Sequence, residues 1–257
     1  MAGNKRDYIT LQKMRILYNV YQICVALPLL IFITLATAVI TIVGCTIGNG
    51  RFWGYYPAAI WSWLFCRILL LPVEVEGREN IDSKTSYIFV ANHQGAFDIF
   101  LIFGFLRHQF RWMMKKSLEK IPFVGYACKK AKHIFVDQST PTTIYDTMKD
   151  AYNILQGGMS VVVFPEGTRS KTGKMGRFRK GGFLLADYLQ LPIVPITLDG
   201  PFQVLPRTKD ITFVKRHKLH MIIHKPIFPQ EKGKNDINAL TEQSYQVIHN
   251  DLPDSFK

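Results

Sequence analysis

The segment Tyr87-Ile88-Phe89-Val90-Ala91 is followed directly by Asn92-His93-Gln94-Gly95-Ala96-Phe97-Asp98, so a polar segment stands at the end of an apolar run. The first five residues have the length and the β-branched, aromatic composition of a strand, and an apolar stretch of helical period begins after Gly95. Strand-like runs that alternate with helical stretches are typical of an α/β domain. Such runs occur at 86–91, 133–136, 160–164 and 193–198, and helical stretches lie near 97–106, 141–156 and 179–190.

The alternation predicts a central sheet that is mainly parallel and is flanked by helices. A later strand-like run at 217–224 and a helix near 236–250 complete the chain. The middle helix is expected to start at Thr140-Pro141 and to end at Gly157-Gly158. The residues on its core face would be Ile144, Met148, Ala151 and Leu155.

His93 and Asp98 are five residues apart, at the predicted junction between the strand and the following helix. An imidazole needs little tuning to accept a proton from a hydroxyl near neutral pH. A carboxylate in the next helical turn can hold one ring nitrogen while the other faces a substrate. The pair therefore fits a general base and its orienting acid, although a surface histidine beside an unrelated first-turn aspartate has the same spacing.

A second polar segment, Pro165-Glu166-Gly167-Thr168-Arg169-Ser170, follows the buried strand predicted at 160–164. Open α/β sheets bind ligands at the carboxyl ends of their strands. A guanidinium can bind phosphate through two hydrogen bonds, so this loop is a candidate phosphate site. A solvated charged loop is the alternative. The basic residues of the loop are Arg169, Lys171, Lys174, Arg177, Arg179 and Lys180.

With both segments in view, the chain resembles the glycerophospholipid acyltransferase family, and most closely its 1-acyl-sn-glycerol-3-phosphate acyltransferases. The family blocks N-H-x4-D and F-P-E-G-T-R-S are matched in full, at 92–98 and 164–170. A third block is matched in part at 134–138, where Lys132 stands in place of a glycine and Gln138 in place of an arginine. Val194-Pro195-Ile196 matches a fourth block, and Lys115 precedes the turn at 121–125.

The resemblance implies that His93 is the general base and Asp98 its orienting carboxylate. It also implies that Arg169 binds a phosphate together with Lys115, and that Glu166, Gly167 and Thr168 shape the acceptor site. The reaction implied moves an acyl group from acyl-CoA or acyl carrier protein to the sn-2 hydroxyl of lysophosphatidic acid, which gives phosphatidic acid in phospholipid biosynthesis. Neither a cofactor nor a metal is expected. Other acceptors in the family remain open: glycerol-3-phosphate, an ornithine lipid or another lysophospholipid.

The charge and the amino-terminal region indicate a membrane setting. The net charge is +13, which favours anionic partners, and no charged residue occurs between Ile16 and Gly50. That length exceeds the roughly 20 apolar residues of a membrane span. A second apolar stretch, Phe52 to Val73, contains Arg67 and several aromatic residues and is expected to lie at the interface. We therefore divide the chain into a membrane-associating two-helix segment at 1–77 and a catalytic domain at 78–257.

Basic residues before Ile16 predict a cytoplasmic amino end, and the basic catalytic domain also suits anionic cytoplasmic lipid. A helical hairpin that enters only one leaflet would keep the amino end and the catalytic domain on the same side of the membrane, with its turn at Pro28 or at Gly48-Asn49-Gly50. One full crossing would place them on opposite sides. The expected location is the bacterial inner membrane, with the active site facing the cytoplasm. Nucleic acid is not an expected partner.

Other chemistries are disfavoured by spacing. The four cysteines form no close pair, which argues against disulfides and a zinc site. His220 and His224 would share one face of a strand, which is a weak metal signal. No G-x-S-x-G elbow is present, which argues against a serine hydrolase. A basic membrane protein without catalytic activity remains the alternative from another functional class.

Overall fold

The computed structural model describes residues 2–137, 149, 151–155, 158–207, 212–231 and 236–257. Several predicted features lie outside the described residues. These are the helix start at Thr140-Pro141, its core positions Ile144 and Met148, the substituted Gln138, and Gly157. Ala151 and Leu155 are described, and both are helical and buried as predicted.

Seven strands in the described part of the chain form one sheet in the order β1-β7-β6-β2-β5-β3-β4. Five neighbouring strands, β6, β2, β5, β3 and β4, run parallel to one another. Strand β7 runs antiparallel to β6 and parallel to β1. The predicted α/β class with a mainly parallel sheet is therefore confirmed. The strands are β1 Val73–Glu76, β2 Ile88–Ala91, β3 Phe110–Lys115, β4 Ile134–Val136, β5 Ser160–Val163, β6 Ile193–Asp199 and β7 Leu219–Ile223.

The helices cover both faces of this sheet. They are α1 Ala2–Tyr21, α2 Leu27–Ile47, α3 Gly50–Trp53, α4 Tyr56–Ile68, α5 Phe97–Phe105, α6 Val124–Lys130, α7 Gly181–Leu189, α8 Pro201–Val204 and α9 Ile237–Asn250. Short 3-10 turns lie at Arg78–Asn80, Lys116–Lys120 and Asp254–Phe256.

Strand β2 lies in the middle of the sheet and is buried on both faces. Phe89 and Ala91 pack into one core with α4 and α5, while Ile88 and Val90 pack into a second core with α7. Successive side chains of a strand point to opposite faces of the sheet. A strand that is covered on both faces therefore needs an apolar residue at every position, as β2 has. This position fixes His93, two residues beyond β2, at the carboxyl edge of the sheet.

The amino-terminal segment contains one long helix, which packs against the shorter helix α4 that follows the turn at 48–50, so the two form a helical hairpin. A π-helical turn, Gln22–Ala26, joins α1 to α2, and Pro28 lies within the first turn of α2 without ending it. Residues Gln12–Ile47 make up a helix of 36 residues that is long and apolar enough to cross a membrane. The chain turns at Gly48-Asn49-Gly50, where the Asn49 side chain caps α3. Of the two predicted turns, the structure contains the second.

The long helix is attached to the α/β body through contacts at two places along its length. The Tyr18 and Tyr21 hydroxyls donate to the carbonyls of Leu69 and Ile68 at 2.6 and 2.7 Å. The buried Gln22 amide donates to the Val214 carbonyl and accepts from the Val214 N–H, both at 3.0 Å. Further along, α2 packs against α4 and α6. The apolar helix therefore lies along the α/β body.

Among the elements not predicted from the sequence are β1, β3, α6 and α8. Strand β1 lies within the predicted membrane-associating segment 1–77, yet it pairs with β7 from Val73↔Leu219 to Glu76↔Ile222. The predicted boundary at residue 77 therefore falls after the first strand of the sheet. The segment 52–73, predicted to be interfacial, forms α3 and α4, and α4 packs against both α2 and α5.

Candidate active site

The His93 and Asp98 side chains form a close pair at the carboxyl end of β2. His93 Nδ1 and Asp98 Oδ2 are 2.6 Å apart, and the Gly95 N–H donates to the same oxygen at 2.8 Å. The Asp98 side chain is fully buried, whereas the His93 side chain is 14% exposed. Burial raises the pKa of Asp98, and the hydrogen bonds from His93 and Gly95 oppose that rise. The carboxylate thus fixes the ring at Nδ1 and leaves Nε2 to accept a proton.

Aromatic packing fixes the plane of the imidazole. The rings of His93 and Phe164 are stacked with centroids 3.9 Å apart and an angle of 8°. Trp112 stacks on Phe164 in turn, at 5.4 Å and 21°. These three residues follow or belong to the adjacent strands β2, β5 and β3, so the sheet itself sets the ring orientation.

The Glu166 carboxylate ties the two sequence segments together. One oxygen accepts from the His93 N–H and the other from the Gly176 N–H, both at 2.7 Å. The Ser170 N–H donates to the His93 carbonyl at 2.8 Å, which makes a second link between the segments. Burial raises the pKa of Glu166 to about 7. Glu166 was predicted to shape the acceptor site, and its carboxylate contacts these backbone groups.

The loop around Gly167 depends on a left-handed backbone and a close approach. Gly167 has a φ of +74°, and a Cβ at this position would lie 3.0 Å from the Arg179 guanidinium carbon. A side chain at 167 would therefore be strained and would displace the Arg179 head group.

One cleft of about 880 Å³ brings most of the candidate residues together. His93 lines it from β2, and Gly167, Thr168 and Arg169 line it from the loop after β5. Lys115 lines it from the end of β3. The apolar part of the wall consists of Ala96, Ile99, Trp112, Met113, Met114, Leu118, Val136, Val163, Phe164, Pro165 and Leu184. A single space thus offers a base, a cationic end and an apolar wall.

Comparisons with known proteins give the family. The Acyltransferase family model matches residues 72–199. A 1-acyl-sn-glycerol-3-phosphate acyltransferase of Cocos nucifera is 31% identical over 212 residues, which are 82% of this chain and 66% of that protein. The crystal structure of the 1-acyl-sn-glycerophosphate (LPA) acyltransferase of Thermotoga maritima superposes with a TM-score of 0.74 at 26% identity, and covers 93% of this chain and 95% of that one.

The chain belongs to this acyltransferase family. The resemblance inferred from the motifs is thereby confirmed. The chloroplastic 1-acyl-sn-glycerol-3-phosphate acyltransferase of Arabidopsis thaliana is 35% identical over 156 residues, 60% of this chain. The chain spans less than half the length of that relative and of its Brassica napus counterpart, 43% and 45%.

Two cationic side chains of the cleft, Arg179 and Arg207, were not singled out from the sequence as site residues. Both line the cleft with Arg169, and the Arg207 guanidinium donates to the Arg169 carbonyl at 3.3 Å. Arg179 belongs to the basic run that was noted as a whole, whereas Arg207 lies in a segment without a motif. Only the folding of the chain from β6 back towards the 165–170 loop brings Arg207 to the site.

The two histidines considered as metal ligands, His220 and His224, have separate partners. His220 Nε2 lies 2.8 Å from Glu76 Oε1, and His224 Nε2 lies 2.8 Å from Thr197 Oγ1. Within the described residues, possible ligand atoms of Glu74, Glu76 and His220 lie within 4.8 Å of one another. Lys218 already forms an ion pair with Glu74 at 2.6 Å, so this exposed group is partly neutralised.

Proposed function

We propose that this chain transfers a fatty acyl group from a thioester donor to the sn-2 hydroxyl of 1-acyl-sn-glycerol-3-phosphate and so forms phosphatidic acid. The observation that carries the proposal is that His93, held by Asp98, and Arg169 open into one cleft. The relatives reported above, from Cocos nucifera, Arabidopsis thaliana and Brassica napus, are 1-acyl-sn-glycerol-3-phosphate acyltransferases by name. Their names support the same reaction for this chain.

In the proposed mechanism, His93 Nε2 takes the proton from the acceptor hydroxyl as the oxygen attacks the thioester carbonyl. The Asp98 carboxylate stabilises the imidazolium that forms, because the two groups are 2.6 Å apart and Asp98 is buried. The tetrahedral intermediate then collapses, the carbon–sulfur bond breaks, and the imidazolium returns its proton to the departing thiolate. No acyl-enzyme is needed, since the nucleophile belongs to the acceptor.

We assign the acceptor phosphate to the arginine side of the cleft. Arg169 reaches the cleft beside Arg179 and Arg207, and Lys115 approaches from the end of β3. A guanidinium matches phosphate with two parallel hydrogen bonds, and a lysine adds a mobile point charge. Thr168 and the backbone at Gly167 lie on the same loop and complete the proposed acceptor site.

We also propose that the enzyme works at a membrane surface. The helix Gln12–Ile47 is apolar and leaves many large side chains exposed, among them Leu17 at 70% and Phe32 at 68%. Because α2 packs along α4 and α6, a hairpin that enters one leaflet keeps the catalytic body at the lipid surface. The relatives do not distinguish one membrane from another, so the bacterial inner membrane and the cytoplasmic orientation stay predictions from the amino-terminal charges.

The test is an assay of the purified full chain with lysophosphatidic acid and either acyl-CoA or acyl carrier protein thioester as donor. We expect phosphatidic acid by mass, and a loss of about 10²- to 10⁴-fold in kcat for His93→Ala with lipid association retained. Arg169→Gln should raise KM for lysophosphatidic acid and leave activity on a phosphate-free monoacylglycerol unchanged. The two donors, compared side by side, decide which carrier is used.

The rivals predict other outcomes. An acyltransferase for a phosphate-free acceptor would work equally well with monoacylglycerol, and the role given to Arg169 would then be wrong. A basic protein without catalytic activity would keep all of its function in His93→Ala, and its binding of anionic lipid would weaken smoothly with salt. Formation of phosphatidic acid that depends on His93 excludes this second rival.

A further inference from the structure

Residues 116–130, between β3 and β4, form a basic projection beside the cleft that we call the lysine lobe. It consists of the 3-10 turn Lys116–Lys120 and helix α6, Val124–Lys130. Leu118, on its inner side, lines the cleft. On another side, α6 packs against the apolar helix α2. The lobe therefore connects the mouth of the cleft with the part of the molecule that we assign to lipid.

The outer surface of the lysine lobe carries large apolar side chains that nothing in the described residues covers. Ile121 is 43% exposed, Phe123 is 61% exposed and Tyr126 is 51% exposed. Single exposed apolar side chains are common, but three within six residues, two of them aromatic, are typical of an interaction surface.

The backbone at Phe123 indicates that this exposure is built into the fold. Phe123 has φ of 59° and ψ of −54°, and the Val124 N–H donates to the Pro122 carbonyl at 2.6 Å, which closes a γ-turn of the rare type with positive φ. A residue with a Cβ is strained in this region of backbone space, and such strain is concentrated at functional sites. A glycine would relieve the strain, yet the chain has a phenylalanine whose ring faces outward.

The charge of the lysine lobe identifies its partner as anionic. Residues 116–130 contain Lys116, Lys120, Lys129 and Lys130 against one acid, Glu119. Glu119 is paired with Lys129 and Asp137 with Lys116, both at 3.0 Å, which leaves Lys120 and Lys130 to meet an anionic partner. The ammonium of Lys130 lies over the Tyr126 ring, 5.6 Å from its centroid. A lysine beside an exposed aromatic ring matches a bilayer interface rich in anionic lipid, where rings enter the headgroup layer and ammonium groups meet phosphates.

We propose that the lysine lobe is a second membrane-docking surface, which inserts Phe123 and Tyr126 among anionic lipid headgroups next to the cleft mouth. The inference rests on the membrane setting proposed above and adds a specific contact to it. Lipid is the occupant favoured here because α6, the helix that carries Tyr126, packs against α2, whose own exposed face is apolar. Docking at this point would hold the cleft entrance, through Leu118, against the surface that contains the lysophosphatidic acid acceptor.

Phe123→Gly is a suitable variant because the backbone at 123 already has a conformation that glycine adopts freely. The matched control is Phe228→Gly, because Phe228 is also highly exposed, at 70%. Its neighbour Ile227 bridges to Ile193 at the start of β6, so Phe228 lies at the amino edge of the parallel strands, away from the cleft at their carboxyl edge. We expect Phe123→Gly to lower turnover by about tenfold on acceptor presented in phosphatidylglycerol vesicles. With a short-chain acceptor below its aggregation concentration, both variants should match the wild type. Equal vesicle turnover for Phe123→Gly and the wild type would overturn the proposal.

A second measurement does not depend on catalysis. The photoreactive residue p-benzoylphenylalanine is placed at 123 or at 228 in the full chain, which is bound to phosphatidylglycerol vesicles, irradiated and analysed by mass. Lipid adducts at 123 and none at 228 support docking even if the chain has no acyltransferase activity. Adducts of 123 to a second copy of the chain, adducts to added acyl carrier protein in place of lipid, or no adducts at 123 would overturn it. Failure of the wild type to sediment with vesicles would instead refute the membrane setting itself.

Discussion

At the scale of single residues, the His93–Asp98 pair combines the free-energy cost of burying a carboxylate with the gain from its hydrogen bonds. Asp98 Oδ2 accepts from both His93 and Gly95, whereas Asp98 Oδ1 is buried without a partner among the described residues. A charged carboxylate at a fully buried position is costly, and its raised pKa reflects that cost. The residue is therefore retained for the charge that it presents to the imidazole rather than for stability.

Asp98→Asn separates these two roles. The amide oxygen can keep both hydrogen bonds, but the negative charge that stabilises the imidazolium is lost, so we expect kcat to fall by about 10²- to 10⁴-fold. Thermal unfolding should occur at the wild-type temperature or above, because a buried amide is cheaper than a buried carboxylate. Asp199→Asn is the control, since Asp199 accepts from Gly200 at the end of β6 and lies outside the cleft. A kcat of Asp98→Asn within tenfold of the wild type would contradict the assigned role.

The residues of the pair could be predicted from the sequence because they are close together in it. His93 and Asp98 are separated by one strand-to-helix turn, so local geometry alone brings them within reach. Arg207 could not be found in this way, since its place in the cleft depends on how β6 and α8 return the chain to the loop after β5. Phe164 was identified as part of a motif, but its stacking on His93 requires β2 and β5 to be neighbours, which no local pattern reveals.

At the scale of elements, the loops after β2 and β5 act as one unit because Glu166 bridges them. Its carboxylate oxygens accept from the His93 and Gly176 N–H groups, and burial raises its pKa to about 7, against 4.5 for the free side chain. Between these two pH values the folded chain binds more protons than the unfolded chain. The free energy of unfolding must therefore decrease as pH rises from about 4.5 to about 7, by roughly 3 kcal/mol in total.

Glu166→Gln should remove this slope. The amide has one acceptor oxygen for two N–H groups, so we also expect a loss of stability of about 1–3 kcal/mol at pH 5 and a several-fold lower kcat. The measurement is thermal unfolding in detergent at pH 5, 6, 7 and 8. Glu74→Gln is the control, because Glu74 is exposed and its pKa is lowered by the hydrogen bond from Lys218. It should retain the wild-type slope, and an unchanged slope in Glu166→Gln would show that another group titrates.

Elements with a strong local pattern were predicted, and those stabilised by distant contacts were missed. The apolar runs predicted as β2, β5 and β6 are strands in the structure, and the ends of these strands lie within two residues of the predicted ends. Strand β3 contains Arg111, which is 2% exposed and donates to the carbonyls of Gly50 and Gly54. Those carbonyls belong to the turn after the long helix, so a charged residue in a buried strand becomes favourable only after the amino-terminal hairpin has docked.

At the scale of the whole molecule, the amino-terminal helix and the catalytic edge lie at the same end of the sheet. Tyr21 is bonded to Ile68 just before β1, and β1 starts opposite Leu219, beside the carboxyl end of β6. The carboxyl ends of β2 and β6 lie at this edge because the two strands are parallel. The apolar helix therefore joins the α/β body at the edge of the sheet where the candidate site lies.

Phe32→Asp tests whether this helix holds the enzyme at lipid. Phe32 is 68% exposed, so the charge should leave the fold in detergent unchanged. An aspartate at the centre of an inserted helix costs about 2.5–3.5 kcal/mol, so the vesicle-bound fraction should correspond to a partition coefficient lowered by about 100-fold. Sedimentation with vesicles measures it, and Phe32→Leu, which keeps an apolar side chain, should bind as the wild type does. Equal sedimentation of Phe32→Asp and Phe32→Leu would mean that α2 is not the principal anchor, and would leave the lysine lobe to hold the cleft at the membrane on its own.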